Sequence, residues 1–159
     1  MSIRTNTVSR VCFFSNVPNL DPVTVAVWIF QSVDRNAESD IFLWATSPNF
    51  VTIGTTANGQ TLRIITPNGS TTGTTISDST WYHLAFVHNG TSLTLYLNGN
   101  SDISRTDAIS FTPGACGFGS NTVTNFWNGR FAALKVWNAA LTQGEIRRVQ
   151  GVHEGRVPG

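Results

Sequence analysis

The clearest pattern along the chain lies between Trp81 and Asn100, WYHLAFVHNGTSLTLYLNGN, where apolar and polar positions alternate, stop at a turn, and alternate again. Side chains of an extended strand point to opposite faces with a period of two. Tyr82, Leu84, Phe86 and His88 therefore share one face, and His83, Ala85 and Val87 the other. Both faces are largely apolar, which predicts a strand buried on both sides. The second half sets Leu93, Leu95 and Leu97 against Thr94, Tyr96 and Asn98, the alternation of a half-buried strand. Asn89-Gly90 between the halves and Asn98-Gly99 after them supply the positive φ values that tight turns need.

The same rhythm recurs elsewhere. Val11–Val17 reads as a short strand stopped by Pro18, which has no N–H to donate to a ladder. Val23–Phe30 has two apolar faces and is predicted to be central. Ile41–Ala45 and Phe50–Gly54 read as strands around Ser47-Pro48-Asn49, and Leu62–Thr66 as another after Asn58-Gly59. Phe111–Gly119 and Phe131–Trp137 complete the set. The polar stretches between them read as an arm at 1–10, a surface loop at Gln31–Asp40, a connection from Asn68 to Asp78, a crossing between sheets at Ser101–Ser110, and a loop at Asn121–Trp127. Five Asn-Gly dipeptides among short apolar runs argue for all-β architecture. One helix is predicted. Thr142 and Glu145 have the spacing of a capping box, starting a helix over about 143–149 that Gly151 would close, with 150–159 as a tail. Two antiparallel sheets packed face to face, forming one domain over residues 1–159, accommodate these elements.

The hairpin also carries a resemblance. Trp81, His83, Ala85, Leu95, Tyr96, Leu97, Asn98 and Gly99 resemble the central hairpin of the laminin-G-like, or concanavalin A-like, lectin/glucanase superfamily. Gly129, Val136, Trp137, Asn138, Leu141, Glu145 and Ile146 are similar to that family's closing strand and short helix, and Thr24–Ile29 to its first long strand. The resemblance implies a jelly-roll sandwich. It leaves function open, because unrelated activities share this fold.

Composition narrows the choice. At 159 residues the chain suits a single core. Charged residues make up 12% and the net charge is +1, so no broad field draws nucleic acid or an anionic membrane. Nine of the ten basic residues are Arg, which favours planar, bidentate contacts. No apolar segment of signal-peptide or membrane-spanning form is present, so the protein is expected inside the cell as synthesised, or on a virion surface if viral. Cys12 and Cys116 lack metal-ligand spacing and could pair only if their strands become neighbours; free thiols are the expectation.

Some relatives in the resembled family are glycosidases. Their acids stand as Glu-x-Asp-x-x-Glu on one strand, a pattern missing here, where Glu38, Glu145 and Glu154 are scattered. His83 occupies the family's usual histidine position and reads as structural. No G-x-S-x-G elbow serves a nucleophile. The resemblance also implies a candidate calcium site, since laminin-G-like modules and pentraxins often bind the ion near a sandwich edge. Asp34, Asn36, Glu38 and Asp40 present oxygen side chains at alternate positions, against a calcium requirement of about six to eight oxygens. Sugar binding needs aromatic faces beside amides and charged groups. Phe126 and Trp127 among Asn125, Asn128 and Arg130 form the best local match, while Trp28, Trp44, Trp81 and Trp137 read as core.

These observations lead to the expectation of a non-catalytic, lectin-like module that binds a glycan or glycoprotein through edge loops. The rival expectation is a virion structural protein, such as a phage decoration, tail or receptor-binding subunit, in which the same fold serves assembly with other chains. A glycoside hydrolase ranks below both.

Overall fold

The computed structural model describes residues 2–5, 12–17, 20–33, 37–44, 49–57, 60–109, 114–119 and 125–154. The first half of the chain forms β1 (Ser2–Thr5), β2 (Cys12–Val17), β3 (Val23–Gln31), β4 (Ser39–Trp44), β5 (Val51–Thr55), β6 (Thr61–Thr66) and β7 (Gly69–Thr75). The second half forms β8 (Trp81–His88), β9 (Ser92–Leu97), β10 (Asn100–Thr106), β11 (Gly114–Phe118), β12 (Gly129–Trp137) and the helix α1 (Gln143–Glu154). One sheet has the order β1-β12-β3-β8-β9-β10 and the other β2-β11-β4-β5-β6-β7, six strands each. Every pairing between these strands is antiparallel.

The hairpin predicted from the alternation is the middle of the first sheet. Leu84 pairs with Leu97 and Phe86 with Leu95, and both rows enter the core between the sheets. β3 lies on the other side of β8, in register from Val23 opposite His88 to Phe30 opposite Trp81. Val25, Val27 and Ile29 face Phe42, Ile53, Ile64 and Phe118 from the second sheet. The opposite face of β3 and β8 carries Ala26, Ala85 and Val87, which α1 covers with Ile146 and Val149. Small residues are needed there because a helix axis must approach a sheet closely. Thr142 and Glu145 form the expected capping box: the Thr142 N–H donates to Glu145 Oε2 at 2.8 Å, and the Glu145 N–H returns to Thr142 Oγ1 at 3.4 Å.

Several expectations change. The Ser/Thr-rich run after Asn68 is strand β7, an exposed edge, and the polar run after Asn100 is strand β10. Polarity there marks edge strands with solvent on one side, and the two edges meet where Thr74 donates its N–H and hydroxyl to Asp102. The helix runs on to Glu154, so Gly151 lies inside it and does not end it. Part of the expected arm at 1–10 is the edge strand β1. Strands β2 and β11 do become neighbours, but Cys12 stands opposite Phe118 and Cys116, which is buried, opposite Phe14. The expected turns at Ser47-Pro48 and Asn58-Gly59 and the tail at 155–159 lie outside the described residues. Among the described residues no helix is long and apolar enough to cross a membrane.

Candidate functional site

One end of the sandwich gathers most of the sequence-predicted binding residues. Segment 125–128 is stitched to three other elements by its backbone. The Asp40 N–H donates to Asn125 O at 3.0 Å, the Trp127 N–H to Gly119 O at 2.7 Å, and the Ser32 N–H to Asn128 O at 2.9 Å. Asn128 Nδ2 adds a bond to Val33 O at 3.3 Å. On the neighbouring side the Ser79 N–H donates to Gln31 O at 2.7 Å, and Gln31 Nε2 to Asp78 Oδ1 at 2.9 Å. The ends of β3, β8 and β12 are thereby held as one rigid rim.

The five predicted ligand residues separate at this rim. Asn125, Phe126, Asn128 and Arg130 are half-buried and reach the surface. Trp127 is only 2% exposed and packs in the core, its ring 6.5 Å from that of Phe131. Its expected role as a stacking platform is therefore corrected: a sugar cannot reach a ring sealed between two sheets. Asn128-Gly129 is likewise no hairpin turn. Gly129 starts β12, and an added Cβ would collide with Phe30 O and Trp127 Nε1, so the absence of a side chain is what lets the indole pack against the strand.

A row missed in the sequence lies on the same rim. Arg130, Phe30 and Trp81 are level across β12, β3 and β8 on the face that α1 covers farther along. All three are half-buried. The Arg130 guanidinium sits 5.0 Å from the centre of the Phe30 ring, and the Phe30 and Trp81 rings are 5.3 Å apart at 51°. Trp81 had been assigned to the core because its strand is apolar on both faces. The next row inward is closed: Trp28 and His83 are buried, with ring centroids 5.4 Å apart.

Two members of the expected calcium loop, Glu38 and Asp40, fall among the described residues. Arg63 Nη1 donates to Glu38 Oε1 at 2.6 Å, and this bond holds the Glu38 carboxyl below its ordinary pKa against a smaller opposing effect of burial. Asp40 belongs to β4 and is 1% exposed. The Glu38 carboxylate is thus committed to a guanidinium, and that of Asp40 is enclosed in a strand. Asp34 and Asn36 lie outside the described residues. Among the described residues no three His, Cys, Asp or Glu side chains gather as a metal site.

Other polar clusters are structural. Asp107, buried, accepts from Thr66 Oγ1 at 2.6 Å and from Arg105 Nη2 at 3.1 Å. His88 Nδ1 lies 3.1 Å from Asp21 Oδ1. The Thr142 N–H and hydroxyl hold the Glu145 carboxyl below its ordinary pKa. A void lined by Val25, Ile41, Phe42 and Phe86 measures about 10 Å³, the room of about one water, so it offers nothing to a sugar.

Fold and rim together define a concanavalin A-like sandwich with a partly exposed aromatic and cationic end. The chain belongs to the concanavalin A-like lectin/glucanases superfamily, whose model matches residues 6–147. No curated protein matches the chain in sequence. Among solved structures it is similar to a native heptameric SAP-like pentraxin from Limulus polyphemus, at 20% identity and a TM-score of 0.70, covering 92% of this chain and 78% of the pentraxin. A putative carbohydrate binding protein from Bacteroides ovatus matches at 15% identity and a TM-score of 0.71, over 88% of this chain but 44% of its own. Domain 4 of a GH43 extracellular arabinanase from Geobacillus stearothermophilus, solved with arabinotriose, matches at 19% identity and a TM-score of 0.66, over 91% of this chain and 78% of its own. At these identities the likeness is one of fold.

Proposed function

We propose that this domain is a non-catalytic recognition module that binds a glycan or glycoprotein at the rim formed by the ends of β3, β8 and β12. The observation that carries this reading is the rim itself: three segments locked by hydrogen bonds that present Phe30, Trp81, Asn128 and Arg130 to the outside. Rigid aromatic faces beside amide and guanidinium donors are what a hydroxyl-rich, partly apolar ring requires. The solved relatives described as carbohydrate-binding or crystallised with arabinotriose support the reading by analogy of fold.

Catalysis is not part of the proposal. Glycoside hydrolysis needs two carboxyls facing one bond about 5–9 Å apart. Glu38 is engaged by Arg63, Asp78 by Gln31, Asp107 by Thr66 and Arg105, and Glu145 by the helix start. A glycan array with the purified domain tests the binding reading. Binding to defined sugars that falls at least tenfold in Trp81→Ala, with the fold retained by circular dichroism, is the expected result. Silence on the array combined with ordered self-association would reject it in favour of the assembly role, and hydrolysis of a β-glucan would reject its non-catalytic part.

A further inference from the structure

Among the described residues Arg130 differs from the other half-buried arginines, Arg63 and Arg105, while Arg148 is exposed on α1. Arg63 is paired with Glu38, Arg105 with Asp107, and Arg147 donates to Gly99 O and Asn100 Oδ1. Arg130 is half-buried, yet its contact is the ring of Phe30. No carboxylate among the described residues pairs with it. A guanidinium over an aromatic ring is attracted through its charge, and this contact does not use up its five N–H donors. On the edge strand, β1 pairs with β12 so that position 4 is in backbone register with Arg130. The row thus runs from Arg130 on β12 to the aromatic rings of Phe30 and Trp81 on β3 and β8.

From this arrangement we infer that the rim selects acidic sugars, pyranoses bearing a carboxylate, with Arg130 receiving the carboxylate and the Phe30–Trp81 pair receiving the apolar face of the ring. The inference rests on the glycan-binding reading above and names its ligand class. Bidentate pairing to a planar carboxylate is the recognition for which a guanidinium edge is best suited. The two rings, 5.3 Å apart, extend the apolar surface laterally from the cation, so charge and ring face are read side by side. A neutral sugar can take single hydrogen bonds from the guanidinium edge but not the bidentate charge pairing that a carboxylate makes there.

The test compares ligands that differ in the carboxylate. Oligogalacturonate is set against its carboxyl-reduced counterpart, and sialyllactose against lactose, by titration calorimetry with wild type, Arg130→Gln, Arg130→Lys and Trp81→Ala. Wild type is expected to bind at least one acidic member tenfold or more tightly than its neutral partner. Arg130→Gln should abolish that preference, bringing the acidic member down to the affinity of its neutral partner in the same variant, with the melting temperature near wild type. Arg130→Lys should keep part of the preference, since it restores charge without the planar fork. Trp81→Ala should weaken both members of a pair together. Equal binding of acidic and neutral members by wild type overturns the inference and leaves the glycan-binding reading standing. An acidic preference unchanged in Arg130→Gln overturns the assignment to Arg130, and silence toward all four ligands overturns the inference, while the glycan-binding reading stands or falls by the array.

Discussion

Two tryptophans at the same end of the sandwich should respond to truncation in opposite ways, and the contrast tests the placement of the site. Trp127 is 2% exposed against Phe131, whereas Trp81 is half-buried at the rim. An aromatic side chain buries about 150–250 Å² on folding. Removing about 150 Å² of it at about 25 cal/mol per Å² costs about 4 kcal/mol, inside the range of about 3–5 kcal/mol for Trp or Phe to Ala in cores. For a domain of this size that corresponds to a fall in Tm of roughly 10 °C. Trp81→Ala gives up a smaller buried area, roughly half, and should cost about 2 kcal/mol or less. Urea denaturation followed by tryptophan fluorescence gives both values, and calorimetric titration with an array-selected glycan gives the binding change. Trp127→Ala is expected to lower stability strongly but retain affinity in the molecules that remain folded, while Trp81→Ala lowers affinity at least tenfold. A Trp127→Ala variant as stable as wild type but unable to bind, beside a fully active Trp81→Ala, would refute the placement.

Gly129→Ala should destabilise by about 2 kcal/mol, the cost of overpacking, because its new Cβ would meet Phe30 O and the Trp127 indole; a thermal melt equal to wild type would contradict that close approach. The Arg63 hydrogen bond lowers the Glu38 pKa, so the associated stability is present above the unfolded value and is lost as pH falls through the folded one. Because the Glu38 side chain is 45% exposed, solvent screening keeps this contribution to about 0.5 kcal/mol. The urea-midpoint difference between wild type and Glu38→Gln should therefore shrink as the pH is lowered from about 6 to about 3, and a difference that grows would reverse the sign. Replacing calcium by a chelator should leave the Tm unchanged, given the engagement of Glu38 and the burial of Asp40; a drop of several degrees would place an ion at this edge.

What could be read in the sequence was whatever depends on local periodicity. The β8–β9 hairpin, the central strand β3 and the Thr142–Glu145 cap follow from alternation and spacing alone, and each is present. Edge strands were harder to see. β7 and β10 carry Ser, Thr, Asn and Asp on positions that need no burial, so their composition matches that of a connection. Asn128-Gly129 shows the converse difficulty. The dipeptide that turns the chain at Asn98-Gly99, where both φ values are positive, instead admits an indole at Gly129. One signature serves two physical needs, and only the tertiary neighbour distinguishes them.

The site itself was obscured for a related reason. Alternation reports that a strand has two apolar faces, but not how far along the strand a covering layer extends. On β3 and β8 the outward positions run from Thr24 to Phe30 and from Val87 back to Trp81, largely apolar throughout, with no change of pattern to mark where the cover ends. Helix α1 covers Ala26, Ala85 and Val87 and so accounts for only one end of that face. At the other end, Phe30 and Trp81 retain partial exposure beside the guanidinium of Arg130. A wholly structural face would favour smaller or aliphatic residues where its cover ends. Large rings placed beside an arginine without a carboxylate partner among the described residues instead leave an amphipathic surface, and it is on this surface that the acidic-sugar proposal rests.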